Sequence, residues 1–122
     1  MKKTEIIAEA GVNHNGKLVL AKKLALLAKK AGADYIKFQI YNADEIATTK
    51  LKKTPYQKKT SINKNENQKE MLKNLSLTHQ DFNNLINYCW KIKIKFLASI
   101  FDLDSLKYLQ KKTNIIKIGS SE

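Results

Sequence analysis

Residues 6–16 read Ile6-Ile7-Ala8-Glu9-Ala10-Gly11-Val12-Asn13-His14-Asn15-Gly16. An apolar run carries one acid, Glu9, then breaks into a polar loop with glycine at both ends. A segment of helical spacing follows at once. The pattern is a buried strand feeding a loop feeding a helix, and in α/β folds such loops are where function sits. A carboxylate inside a buried strand needs a partner, because an unpaired buried charge is expensive. Glu9 is therefore either a structural acid with a lysine partner or a site residue, and this stretch alone leaves both open.

Working outward, the first strand covers residues 5–12 and the first helix runs from Lys17 to Ala31. Leu20, Leu24, Leu27, Ala28 and Ala31 recur at helical spacing and form its expected inward stripe. Gly32 stops the helix, and the strand Asp34-Tyr35-Ile36-Lys37-Phe38-Gln39-Ile40 follows. Strand, helix and strand in so short a span make a right-handed βαβ unit with the two strands parallel. Tyr35, Lys37 and Gln39 share one face of the second strand; Ile36, Phe38 and Ile40 share the other. With helices covering the apolar face, the polar face points inward. Lys37 then needs an anion, which is either a carboxylate such as Glu9 or a bound ligand.

Residues 41–75 interrupt the rhythm with a long, lysine-rich connection that holds the only proline, Pro55. A short helix is expected between Glu66 and Leu75, with Met71, Leu72 and Leu75 on one side. Thr78-His79-Gln80-Asp81 has the form of a capping box and starts the next helix, with Phe82, Leu85, Ile86 and Cys89 as its buried stripe. The third strand is Ile94-Lys95-Phe96-Leu97-Ala98-Ser99. Asp102 caps a helix whose Leu103, Leu106 and Leu109 face inward, and Asn114-Ile115-Ile116-Lys117-Ile118 forms a fourth strand. Four parallel strands alternating with helices, with open edges and an uncovered inner face, give an α/β chain. It reads as the N-terminal half of a (β/α)8 barrel, since a closed barrel takes about 250 residues.

The bulk composition excludes several classes. At 43% hydrophobic content, 122 residues make an ordinary globular domain. No apolar run is long enough to span a bilayer, and the charged start lacks the pattern of a signal peptide. The single cysteine, Cys89, rules out an internal disulfide framework and suits a reducing cytoplasm, the expected location. The formal net charge is +12, yet every basic residue is lysine and the lysines are spread along the whole chain. Specific nucleic-acid recognition favours arginine forks, so neither a nucleic-acid nor a membrane partner is expected.

The polar strand-end residues converge. Glu9, Lys37, Gln39, Ser99, Lys117, Ser120 and Glu122 all fall at or beyond the C-terminal ends of their strands, where barrel active sites are built. Two lysines, two hydroxyls and a Gly-Ser turn suit a small, multiply charged anion such as a phosphorylated acid. Two nearby carboxylates suit hydroxyl orientation or proton transfer. Neither a nucleophilic triad nor a metal-ligand cluster stands out, because His14 and His79 are far apart in the pattern.

These residues also carry a resemblance. Ile7 to Gly16, Ala31 to Gln39, Tyr56-Gln57, Phe96 to Asp102 and Lys117 to Glu122 resemble, in order, motifs of the N-acetylneuraminic (sialic) acid synthase family, which includes the legionaminic and pseudaminic acid synthases. The resemblance implies condensation of phosphoenolpyruvate, through C3, with the aldehyde of an N-acetylated amino sugar, water adding at C2 and phosphate leaving. It implies a TIM barrel followed by an antifreeze-like domain, in a domain-swapped homodimer. By motif position, Lys37, Ser99, Lys117 and Ser120 would hold phosphoenolpyruvate, Gln39 and Glu122 would face the sugar, and Glu9 would act between the substrates as the catalytic residue. A divalent metal, Mn or Mg, would activate the water, with its histidine ligands on later strands than this chain contains. Two departures bear on the site: Ile100 replaces a family proline, and Ser121 replaces a glycine. The chain is expected to be inactive alone. The alternative is a non-catalytic half-barrel that assembles with a complementary chain or with itself.

Overall fold

The computed structural model describes residues 3–46 and 67–120. Expectations that fall on Pro55, Tyr56, Gln57, Ser121 and Glu122, and on the lysines from Lys50 to Lys64, lie outside the described residues. In chain order the elements are β1 (Ile7–Gly11), α1 (Leu18–Lys30), β2 (Tyr35–Ile40), α2 (Ala43–Ile46), α3 (Gln68–Leu75), α4 (His79–Lys91), β3 (Lys95–Ile100), α5 (Leu103–Leu109) and β4 (Lys117–Ile118). The four strands form one sheet in the order β1-β2-β3-β4, every neighbour parallel. Strand order equal to chain order, with parallel pairing throughout, is half of an eight-stranded barrel.

One face of the sheet is the core. Ile36, Phe38 and Ile40 of β2 and Phe96, Ala98 and Ile100 of β3 are buried beneath the helices. The Phe38 and Phe96 rings stack at 5.8 Å, and Phe82 of α4 meets Phe96 edge-on. A buried phenylalanine of this kind contributes about 1.5–3 kcal/mol through burial alone. Leu85 and Cys89 extend the stripe along α4, in agreement with its reading from the sequence.

The stripe expected on α1 is corrected in part: Ala28 is buried and Leu24 packs against the core, but the other three positions do not line it. Ala21, Ala25 and Ala28 are its buried residues, whereas Leu27 is 52% exposed, Leu20 is half-buried and Ala31 is exposed. Three alanines about one turn apart let the helix approach its neighbours closely, and the larger leucines are displaced to its flanks. On α5, Leu109 is buried but Leu103 is exposed, because Asp102 caps the helix one residue earlier and turns its first residue outward. The fourth strand is shorter than expected, with only Lys117 and Ile118 paired to Ser99 and Ile100.

Two capping boxes fix further helix starts. The Asn67 side chain accepts from the Glu70 amide while Glu70 accepts from the Asn67 amide, and Thr78 and Asp81 do the same for α4. Asp102 ties three groups: Oδ1 accepts from the Ser105 amide at 2.7 Å, and Oδ2 accepts from the Asn42 amide at 2.6 Å and from Ser105 Oγ at 2.8 Å. It therefore caps α5 and pins the segment leaving β2.

Candidate active site

The inner face of the sheet is layered by its register. Ile7, Tyr35 and Lys95 make one row; Glu9, Lys37 and Leu97 make the next; Gln39, Ser99 and Lys117 make the row nearest the C-terminal strand ends. Alternation along each strand puts these side chains on the face opposite the aromatic core.

The middle row holds an ion pair. Lys37 Nζ lies 2.7 Å from Glu9 Oε2, the lysine side chain 22% exposed and the glutamate 52%. The two carriers of charge foreseen in the strands are thus partners across neighbouring strands. A pair this open to water contributes no more than about 1 kcal/mol, so it gains little stability from its charges.

Between Glu9 and Gly11 the register slips by one residue, a bulge that ends the strand. Gly11 has φ +53°, a left-handed conformation that side chains rarely adopt. A Cβ built there would sit 3.5 Å from Glu9 Oε1 and 3.8 Å from Gln39 Nε2. The bare glycine therefore leaves a space that a carboxylate and an amide both border.

The upper row holds Gln39, half-buried, and Ser99, 7% exposed. Lys117 is in register with Ser99, but its amine turns back to donate to the carbonyl of Ile118 and is exposed. Ser120 lies two residues beyond β4, exposed. So Glu9, Lys37, Gln39 and Ser99 form one contiguous patch, while Lys117 and Ser120 border it from the edge strand; Glu122 is outside the described residues. At the opposite end of the face, Lys95 Nζ donates to Glu5 Oε1 at 2.6 Å and to Tyr35 Oη at 3.3 Å, closing the lower row with its own polar set. A hollow of about 690 Å³ also lies at that N-terminal end, lined by Tyr35, Trp90, Lys95 and Ile115 among others. Barrel chemistry is built at the C-terminal end, so the hollow is not the candidate site.

The residues after β2 brace the patch. Tyr41 Oη donates to the Leu72 carbonyl at 2.9 Å, and burial pushes this phenol up to about 12. Asp44 receives Lys69 at 2.7 Å and Lys73 at 3.0 Å, and hydrogen bonds from these amines hold its carboxyl below the usual range. Helix α3 is thereby fastened to α2 over the C-terminal side of the sheet.

The described residues do not fit a metal. No group of three or more His, Cys, Asp or Glu among them could hold an ion. His79 is stacked on Tyr108 at 4.1 Å, and His14 is packed beside Phe38 on the core side of the sheet. Sequence reasoning treated the Asn-His-Asn loop as polar and missed the complete burial of His14. No local signal marks it, because the burial comes from packing against residues distant in sequence such as Phe38. Among the described residues no helix is long and apolar enough to cross a membrane.

Comparison with known proteins gives consistent results. The family model described as "NeuB family" matches residues 24–122. The chain is 49% identical over its whole length to N,N'-diacetyllegionaminic acid synthase of Campylobacter jejuni, covering 36% of that protein. It is 33% identical to human N-acetylneuraminate-9-phosphate synthase over 96% of the chain and 32% of that protein. The solved N-acetylneuraminic acid (sialic acid) synthetase from Leptospira borgpetersenii superposes with a TM-score of 0.75 at 32% identity, over 96% of this chain and 36% of that one. The chain spans about a third of the length of these relatives.

Proposed function

Because the chain belongs to the NeuB family, we propose that it forms the phosphoenolpyruvate-and-sugar side of a nonulosonic acid synthase. The reaction joins C3 of phosphoenolpyruvate to the aldehyde carbon of an N-acetylated amino sugar, N-acetylmannosamine or a 2,4-diacetamido sugar. Water adds at C2 and the C–O bond to phosphate breaks. The observation that carries this reading is the patch at the C-terminal strand ends, with Lys37 beside Glu9 in one row and Gln39 beside Ser99 in the next.

Lys37 supplies a fixed positive charge for a carboxylate or phosphate, and the Ser99 hydroxyl donates to the same anion. When the anion binds, it competes with Glu9 for the lysine. Glu9 is then free to accept a proton or to orient a sugar hydroxyl in the space beside Gly11. Gln39, across that space, donates to the sugar. Lys117 and Ser120 complete the anion cradle once the Lys117 amine leaves its own strand carbonyl. The described residues hold no metal ligand set, and no step assigned to them passes through one. The complete synthase works in the cytoplasm as a homodimer, and the 122-residue chain alone releases no phosphate.

The test grafts this chain in place of the matching segment of the Campylobacter jejuni synthase and measures phosphate release with each amino sugar. The graft is expected to be active, and Lys37→Met in it to lower kcat/KM by about 10²–10³-fold, the scale of one lost electrostatic contact to a reacting group. A folded graft without activity, or an unaffected Lys37→Met, refutes the reading.

Among the described residues β1 and β4 are edge strands paired on one side, and with Ile7 and Ile118 about half exposed they favour a second reading, a half-barrel that acts by assembly. Concentration-dependent self-association of the chain, together with an inactive graft, is the outcome that selects it.

A further inference from the structure

The loop between β1 and α1 looks polar in sequence, yet His14 is 0% exposed. Its Nδ1 accepts a hydrogen bond from the Gly16 amide at 3.1 Å. An imidazole nitrogen that accepts carries no proton, so the ring is neutral with its hydrogen on Nε2. Nε2 is itself buried and has no hydrogen-bond partner among the described residues. The ring packs against Phe38 at 6.0 Å. From the other side, the C-terminal end of α3 presents backbone carbonyls of Asn74 and Ser76 to Gly16. Burial holds the imidazole below its ordinary value near 6.5, and no charged side chain among the described residues contributes to that shift.

The loop clamped by this bond takes left-handed backbone at three positions. Gly11, Asn15 and Gly16 all have positive φ, at 53°, 50° and 68°. Gly11 is the residue that opens the space between Glu9 and Gln39.

We propose that His14 is a positioning residue: its neutral ring clamps Gly16, fixing the loop that places Gly11 beside Glu9 and Gln39, and a proton on Nδ1 releases the clamp. An imidazolium Nδ1 is a donor facing a donor, so the bond to Gly16 breaks outright. The consequence for ligand binding rests on the reading of this end as a phosphoenolpyruvate site.

The experiment uses the isotopically labelled 122-residue chain, with His14→Asn, which keeps a short side-chain acceptor, and His14→Phe, which keeps ring volume without one. Nuclear magnetic resonance follows the His14 ring nitrogens and the Gly16 amide between about pH 8 and pH 5, a range that spans histidine titration. Phosphoenolpyruvate is then titrated into each variant at about pH 7.5, where a histidine of ordinary affinity is neutral. The expected result is an Nε2–H tautomer, with the Gly16 amide moving in a single step centred below 6.5. His14→Asn abolishes the step and binds phosphoenolpyruvate like the wild type. His14→Phe binds about tenfold more weakly, the equivalent of one lost hydrogen bond at about 1.4 kcal/mol. An Nδ1–H tautomer, a step at or above 6.5, or undiminished binding by His14→Phe overturns the proposal. Failure of the wild type to bind phosphoenolpyruvate counts against the proposed function alone, because the tautomer and the Gly16 step decide the clamp without a ligand.

Discussion

Gly16 and Gly32 form an internally controlled pair. Both have positive φ, at 68° and 84°. An alanine at either position is strained by roughly 1–2 kcal/mol, the cost of left-handed backbone for a side chain. At Gly32 no described atom lies within 4 Å of where an added methyl would sit, so Gly32→Ala incurs that cost only. At Gly16 the methyl would fall 2.4 Å from the Asn74 carbonyl oxygen and 3.3 Å from that of Ser76. These are backbone atoms that no rotamer change can move, so either the loop or the end of α3 must shift. Overpacking adds about 1–3 kcal/mol. Gly16→Ala is therefore expected to cost roughly 2–5 kcal/mol in all, a drop of about 6–20 °C in Tm for a chain of this size. Thermal and denaturant unfolding of the two variants measure the difference directly. Hydrogen exchange localises it: Gly16→Ala strips protection from the α3 amides, and Gly32→Ala leaves them intact. Equal destabilisation by the two substitutions, or unchanged α3 protection in Gly16→Ala, would refute the reasoning.

Two other substitutions and a titration follow from the same structure. Asp102→Ala removes the acceptor shared by the Asn42 and Ser105 amides and is expected to cost about 1–3 kcal/mol by denaturant unfolding, more than an isolated helix cap. Cys89 is 1% exposed and burial pushes its thiol up to about 12, so it should resist thiol-specific reagents in the native chain and react on unfolding. The unfolded thiol loses its proton near 9.0 while the folded one keeps it, so stability is full below 9.0 and declines as pH rises from there toward 12; Cys89→Ala should flatten that decline.

The strands were legible because a period of two is robust over six residues. Lys37 and Gln39 interrupt an otherwise apolar run on one face only, and that was enough to assign the inner face of β2 and to leave Glu9 or a bound anion as the partner of Lys37. Thr78, Asp81 and Asp102 announced their helix starts through local chemistry that tertiary packing did not override. The α1 stripe misled because hydrophobicity ranks leucine above alanine, whereas a helix held close to its neighbours selects for small side chains at the contact. The burial of His14 and the contact between Gly16 and Asn74 depend on residues distant in sequence meeting in space, and no local pattern encodes them. The turn of the exposed Lys117 amine onto the Ile118 carbonyl is a different case, a local contact that the strand pattern does not encode.

The contact of Gly16 with Asn74 and Ser76 also orders events during synthesis. The loop after β1 is made early, but the carbonyls it seats against emerge only after β2 and α2 have left the ribosome. Closing so long a span carries an entropic cost, one that the β2–β3 pairing shares. The loop beside Glu9 therefore reaches its final seat only once the end of α3 has been made.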